Sequence, residues 1–214
     1  MNRLLVATTN RGKLAELAPV LAASGAEVVG LDGFPGLPVA PEDEPDFAGN
    51  ARAKALHYAR ATGLDTLADD SGLCVEALGG APGVHSARYA GPDADDEANR
   101  RKLLAALAGR TDRRAHFTCA LCLVRNGVPF LEVAGESRGT IAAEPSGSGG
   151  FGYDPLFIPA HPAAAGRTFA QMSRDDKRRF SHREAALRAL SAGLQRLGTT
   201  LGTGRTPSPS GGAR

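Results

Sequence analysis

The sequence has little cysteine, little lysine, few aromatics, almost no net charge and no long apolar run, and each shortage removes a class of protein. Only Cys74, Cys119 and Cys122 are present, and an odd, low count argues against a disulfide framework. Cys119 and Cys122 form a C-x-x-C, but they lie in AHFTCALCLVR, which reads as a strand. Residues three apart on a strand point to opposite faces, so these are expected to be buried, inert thiols and not a metal or redox pair. No stretch approaches the roughly 20 apolar residues of a membrane span. The opening MNRLLVATTN has too short an apolar run for a secretory signal. A cytoplasmic protein with no membrane partner is the expectation. Net charge is +2 and aromatics are 5%, which argues against a nucleic-acid partner.

Lysine is scarce in a telling way. The chain has 21 Arg but only Lys13, Lys54, Lys102 and Lys177. Three of these four fall in the segments singled out below, and a compact ammonium suits a phosphate differently from a planar guanidinium. Otherwise the composition, 42% hydrophobic and 22% charged, is that of an ordinary globular protein. The length suits one domain, expected over residues 1–198. From Thr199 onward, TTLGTGRTPSPSGGAR is nearly free of apolar residues and reads as a disordered tail over residues 199–214.

Strands and helices alternate early. RLLVAT reads as a buried strand, KLAELAPVLAASG as a helix, and EVVGL as a second strand. Residues 32–46 form a loop, and Phe47 to Thr62 has helical spacing. TLADDSGLCVEAL is expected as two extended pieces with a turn at Ser71-Gly72. GGAPGVHSARYAG is expected as an irregular loop, and Asp95 to Ala108 as a helix. Asn126-Gly127 between two apolar runs is a strong hairpin signal. Ser173 and Ser181, each followed three residues later by an acid, are expected helix caps. The pattern implies an α/β protein with a mixed sheet.

Several segments carry chemistry. VATTNRGK sits at the first strand-to-helix turn, where backbone N–H groups and the helix dipole suit an anion. Thr8, Thr9 and Asn10 add donors and Lys13 a charge. It is not a Walker A loop, and an ordinary turn with a surface lysine would read the same. Asn50 and Lys54, four apart, share a helix face, which solvent alone could explain. Asp69-Asp70 are paired carboxylates, which repel and are costly to bury unpaired. Mg²⁺, which takes one or two carboxylates with phosphates and waters, resolves that cost. Glu42, in PEDEPD, could add a ligand. In SGGFGYDP, glycines leave the faces of Phe151 and Tyr153 open for a stacked base. In KRRFSHR, Ser181 as cap places His182 and Arg183 in a first turn, where cations oppose the dipole. Donors converging there would suit a carbonyl oxygen or an anion.

VATTNRGKLAEL, FAGNARAKA, LADDSGLCVEALGGAPGVHSARYAG, GGFGYDPLF and TFAQMSRDDKRRFSHREAAL, in this order, resemble the inosine triphosphate pyrophosphatase family. These are XTP/dITP diphosphatases that remove non-standard purine nucleotides. The resemblance runs from residue 3 to about residue 195. It implies a mixed twisted sheet flanked by helices, in two lobes with the active-site cleft between them. It also implies a homodimer, a nucleoside triphosphate substrate and Mg²⁺.

Residue by residue, the resemblance makes Thr8, Thr9, Asn10, Arg11, Gly12 and Lys13 the triphosphate loop, with Lys54 assisting. Asp70 would be the general base and a metal neighbour, with Glu42 and Asp69 as further metal ligands. Ser71 would touch substrate. Phe151, Gly152, Tyr153 and Asp154 would line the base pocket, and Lys177, His182 and Arg183 would contact the base. The family usually carries Gly where this chain has Thr9, and a positive φ there would strain a threonine. The expected reaction is attack of water on the α-phosphorus of ITP, dITP or XTP, releasing pyrophosphate. A pyrophosphatase for other modified nucleotides and a non-catalytic nucleotide-binding regulator are the alternatives. A pure binder has less need of Asp69, Asp70 and Glu42.

Overall fold

The computed structural model describes residues 3–201. Six strands form one mixed sheet in the order β2-β1-β3-β4-β5-β6. β1 (Arg3–Ala7), β2 (Glu27–Gly30) and β3 (Asp65–Val75) run parallel, and β4 (Arg114–Arg125), β5 (Val128–Ile141) and β6 (Phe157–Pro159) are added antiparallel. The helices are α1 (Arg11–Ala23), α2 (Phe47–Thr62), α3 (Asp96–Ala106), α4 (Arg174–Phe180) and α5 (His182–Arg196).

Strand alternation sorts the core onto two faces. Leu4, Val6, Leu67, Cys119, Leu121 and Leu123 pack against α1 and α5. Their neighbours Leu5, Ala7, Ala68, Ala120, Cys122 and Val124 pack against Ala51, Ala55 and Tyr58 of α2. The two cysteines therefore face opposite ways as buried thiols, and burial pushes the Cys119 thiol up to about 12. A third cluster, with Leu73, Phe117, Phe157 and Phe169, fills the other end of the sheet.

Local signals account for the element ends. Asp46 caps α2 by accepting the Gly49 N–H at 2.7 Å, and Gly63 closes it in the left-handed conformation. Ser173 and Ser181 cap α4 and α5, each accepting an N–H three residues on. The hairpin turns at Asn126 and Gly127, both at positive φ.

Two expectations are corrected. Ser71-Gly72 is not a turn, because β3 runs unbroken from Asp65 to Val75. Gly72 is there for close approach: a Cβ on it would lie 2.5 Å from both the Gly83 carbonyl oxygen and Ser86 Oγ of the crossing Gly83–Arg88 turn. The packed domain also runs past residue 198. Leu201 is buried in the α1/α5 core, and Arg125 donates to Thr199 Oγ1 at 3.0 Å and to the Thr200 carbonyl at 2.5 Å. The rest of the expected tail, residues 202–214, lies outside the described residues.

Candidate active site

The end of β1, the start of α1, the middle of β3 and the face of α2 converge on a cavity of about 520 Å³, within the range of small-ligand pockets. At one end lies the β1–α1 turn. Asn10 caps α1 by accepting the Lys13 N–H at 3.0 Å, and its own N–H is accepted by Thr8 Oγ1 at 3.2 Å. Thr8, Thr9, Asn10 and Lys13 line the cavity, where the positive end of α1 favours an anion. Thr9 does not have a positive φ, so threonine fits this loop without backbone strain. Arg11 is exposed and turned away from the cavity, and Gly12 lies beneath the ring of Phe151.

Asp69 and Asp70 are neighbours on β3 and so face opposite ways. Asp70 lines the cavity on the α2 side. Asn50 donates to its Oδ2 at 3.0 Å, and the Ser71 N–H to its Oδ1 at 3.0 Å. Burial raises the pKa of Asp70, against Lys13 and Lys54. Lys54 pairs with Glu42 and reaches the Asp69 carbonyl at 3.3 Å. Burial opposes both charges of that pair, but it is outweighed by Lys54 with Lys13 and Arg88 at Glu42, and by Glu42 with Asp69 and Asp70 at Lys54. Glu42 is held below, and Lys54 above, its ordinary value.

Asp69 is on the other face, 1% exposed, and does not line the cavity. Its Oδ2 meets Lys13 at 3.0 Å, accepts from Ser71 Oγ at 3.1 Å, and lies 3.9 Å from Arg183. Burial alone would raise its pKa, yet Lys13, Arg183 and Lys54 together bring it below the ordinary aspartate value. In this setting Asp69 anchors cations and is not placed as the metal ligand expected from the sequence.

Three more polar side chains line the same cavity. Lys177, His182 and Arg183 are 7%, 5% and 2% exposed. Lys177 donates to Asp154 at 2.7 Å and to Glu16 at 2.8 Å, and Arg183 bonds Glu16 and, at 3.1 Å, Ser71 Oγ. These counter-charges offset the unfavourable position of Arg183 at a helix start. His182 stacks on Phe117 at 4.7 Å. Burial, with Arg183 and Lys177 nearby, takes its pKa well below the ordinary histidine value, so the ring is neutral. Its Nδ1 is buried without a hydrogen-bond partner among the described residues. Phe151 lies with Lys177 4.9 Å and Arg183 5.9 Å from its ring centre. Tyr153 differs from the expected open aromatic. It is 4% exposed, and its hydroxyl donates to the Ser86 carbonyl at 2.9 Å. Asp154 accepts the Phe151 N–H at 2.9 Å, which fixes the loop.

Three residues of the site escaped the sequence. Glu16 binds both deep cations, and its one available signal was its position three residues after Lys13, on the same helix face. Arg88 donates to the Glu42 carbonyl at 3.1 Å and carboxylate at 3.4 Å. Phe117 backs His182 from β4. Neither had a local signal.

The oxygen donors Glu42 and Asp70 both line the cavity. Among the described residues, no cluster of three or more His, Cys, Asp or Glu is arranged to hold an ion. That donor set suits Mg²⁺, which needs only one or two carboxylates beside phosphates and waters, and does not suit an all-protein cage.

The Ham1 family model matches residues 4–193. A dITP/XTP pyrophosphatase of Syntrophobacter fumaroxidans is 53% identical over 184 residues, 86% of this chain and 78% of its own length. One of Nitrosomonas europaea is 50% identical over 193 residues, 89% and 93% of the two chains. The structure of a HAM1 protein from Coxiella burnetii superposes with a TM-score of 0.82 at 41% identity, covering 92% of this chain and 100% of its own. The nucleoside-triphosphatase / dITP/XTP pyrophosphatase from Mycobacterium abscessus gives 0.72 at 43% identity, covering 90% and 98%. Matched by the family model over most of its length and by relatives at about half identity, this chain belongs to the Ham1 family.

Proposed function

We propose that the chain hydrolyses non-standard purine nucleoside triphosphates, dITP, ITP and XTP, to the monophosphate and pyrophosphate, with Mg²⁺. The observation that carries this is one cavity lined by two unlike sets of side chains. Lys13, Lys54 and Asp70 form the first, and Phe151, Lys177, His182 and Arg183 the second. The first suits a polyphosphate and the second a flat, polar-edged base. The relatives named dITP/XTP pyrophosphatase support the same reading.

Asp70 accepts the proton of the attacking water. Asn50 and the Ser71 N–H fix both of its oxygens, and a Mg²⁺ beside it would keep it ionised and able to accept that proton. Lys13 and Lys54 stabilise the charge that grows on departing pyrophosphate. Glu42 and Asp70 would hold Mg²⁺, which when bound neutralises the polyphosphate and orients it for in-line attack. Asp69 keeps Lys13 in place from below.

At the base end, Lys177 uses two of its three N–H donors on Glu16 and Asp154, which leaves one for a 6-oxo oxygen. Adenine presents a donor there, and a buried donor facing a donor discriminates on the order of 10⁴-fold. Pyrophosphate release from ITP and ATP, with Mg²⁺ and then with EDTA, tests the proposal. Metal-dependent release from ITP with ATP nearly inert is expected. Equal rates would refute the base selectivity, and no release from either would refute the hydrolase.

A further inference from the structure

The loop that presents Phe151 is gripped from α3, whose Asp96 also lines the cavity. Asp96 and Arg100 stand one turn apart on α3, and so on one face. Between them lies a single residue, Gly152. Its N–H donates to Asp96 Oδ2 at 2.6 Å, and its carbonyl accepts from Arg100 Nη1 at 2.7 Å. Carboxylate on the donor side and guanidinium on the acceptor side make both bonds charge-assisted, the stronger class of hydrogen bond. Gly152 is held at φ +60, the left-handed region, so the loop turns sharply straight after Phe151.

On the opposite side the Phe151 ring lies against α1, where a Cβ on Gly12 would come within 2.6 Å of it. The ring is thus set between the start of α1 and a peptide held by α3. Neither Asp96 nor Arg100 is buried, and α3 keeps its own cap at Asp95, which accepts the Ala98 N–H at 2.7 Å.

We propose that Asp96 and Arg100 are positioning residues for base recognition: they hold the Gly152 peptide so that Phe151 keeps the angle at which a purine stacks. This rests on the reading of Phe151 as the base platform. Asp70 is held by Asn50 and the Ser71 N–H and not by this pair, so loss of the pair weakens nucleoside binding and spares the chemical step.

The test is a double-mutant cycle on the full chain with ITP and Mg²⁺. Arg100→Ala should raise KM about tenfold, the size of one charge-assisted bond in an exposed setting, with kcat within about twofold. Arg100→Lys, which keeps a donor, should recover most of the loss. Inhibition by inorganic tripolyphosphate, which has no base, should be unchanged, and the melting temperature should hold. In a Phe151→Ala background, Arg100→Ala should add little, because the two act through one ring. A KM effect of equal size in both backgrounds, or a parallel loss of tripolyphosphate affinity, would overturn the proposal. If Phe151→Ala raises KM and Arg100→Ala does not, the clamp alone fails. If Phe151→Ala itself leaves KM unchanged, the stacking reading fails and the clamp with it.

Discussion

The two faces of β3 treat neighbouring carboxylates in opposite ways. On the α2 face, Asp70 meets an amide and a backbone N–H, and its pKa rises. On the α1/α5 face, Asp69 is more deeply buried, yet its pKa falls, because Lys13 touches it and Arg183 lies 3.9 Å away. Burial pushes both upward, so depth does not decide the charge state. Between these two neighbours, contact with cations does. One face is left with a carboxylate held by neutral donors, and the other with a fixed anion that organises cations.

The largest effect should separate the two faces outright. Asp70→Asn is expected to lower kcat by about 10³-fold or more, with ITP binding in the presence of Mg²⁺ retained within a few-fold. Loss of binding together with turnover would make Asp70 a structural residue and erase the contrast. Asp69→Asn should behave differently. It strands Lys13 and Arg183 over a neutral group, and breaking such a buried pair costs about 3–5 kcal/mol, read by urea unfolding. Residual turnover should exceed that of Asp70→Asn. A loss below about 1 kcal/mol, within the range of a surface pair, would show that Asp69 is no anchor.

The same face also excludes a proton from His182. Its folded-state pKa lies well below 6.5, so below pH 6.5 the unfolded chain binds the proton more readily than the folded one. Stability should therefore fall as pH drops from 6.5 to about 5, by at most about 1.4 kcal/mol per pH unit. His182→Gln should flatten that slope. The contribution of Asp69 does not interfere, because a lowered carboxylate pKa is felt only below its ordinary 3.8. An equal slope in both proteins would place the titrating group elsewhere. The smallest effect belongs to the loop that feeds both faces. Thr9→Gly should change kcat/KM by less than about threefold and stability by no more than about 1 kcal/mol, through the unfolded chain alone.

Features with a local cause were legible in the sequence. The bounds of α2, the Asn126-Gly127 turn and the serine caps depend on a few adjacent residues, and the structure has them where they were expected. Ser71-Gly72 misled because glycine was read as a bend, when it admits a crossing segment from Gly83 to Ser86. The paired aspartates were visible as a pair, but their division of labour was not. It depends on which face each meets, and that follows only once β3 is one unbroken strand. Glu16, Arg88, Phe117, Asp96 and Arg100 act across the fold, and apart from the spacing of Glu16 from Lys13 no short pattern marks them.

Glu16 and Arg183 are bonded across 167 positions of chain. The base end of the cleft is therefore among the last parts that a growing polypeptide can assemble. Until α5 emerges from the ribosome, Leu121 and Leu123 lack their cover, and Glu16 waits without its arginine. Non-local closure of this kind is slow and leaves apolar sheet exposed meanwhile. Synthesis stalled after β4 but before residue 183 thus yields chains that contain the phosphate loop and Asp70 but have no complete site in which to read a base.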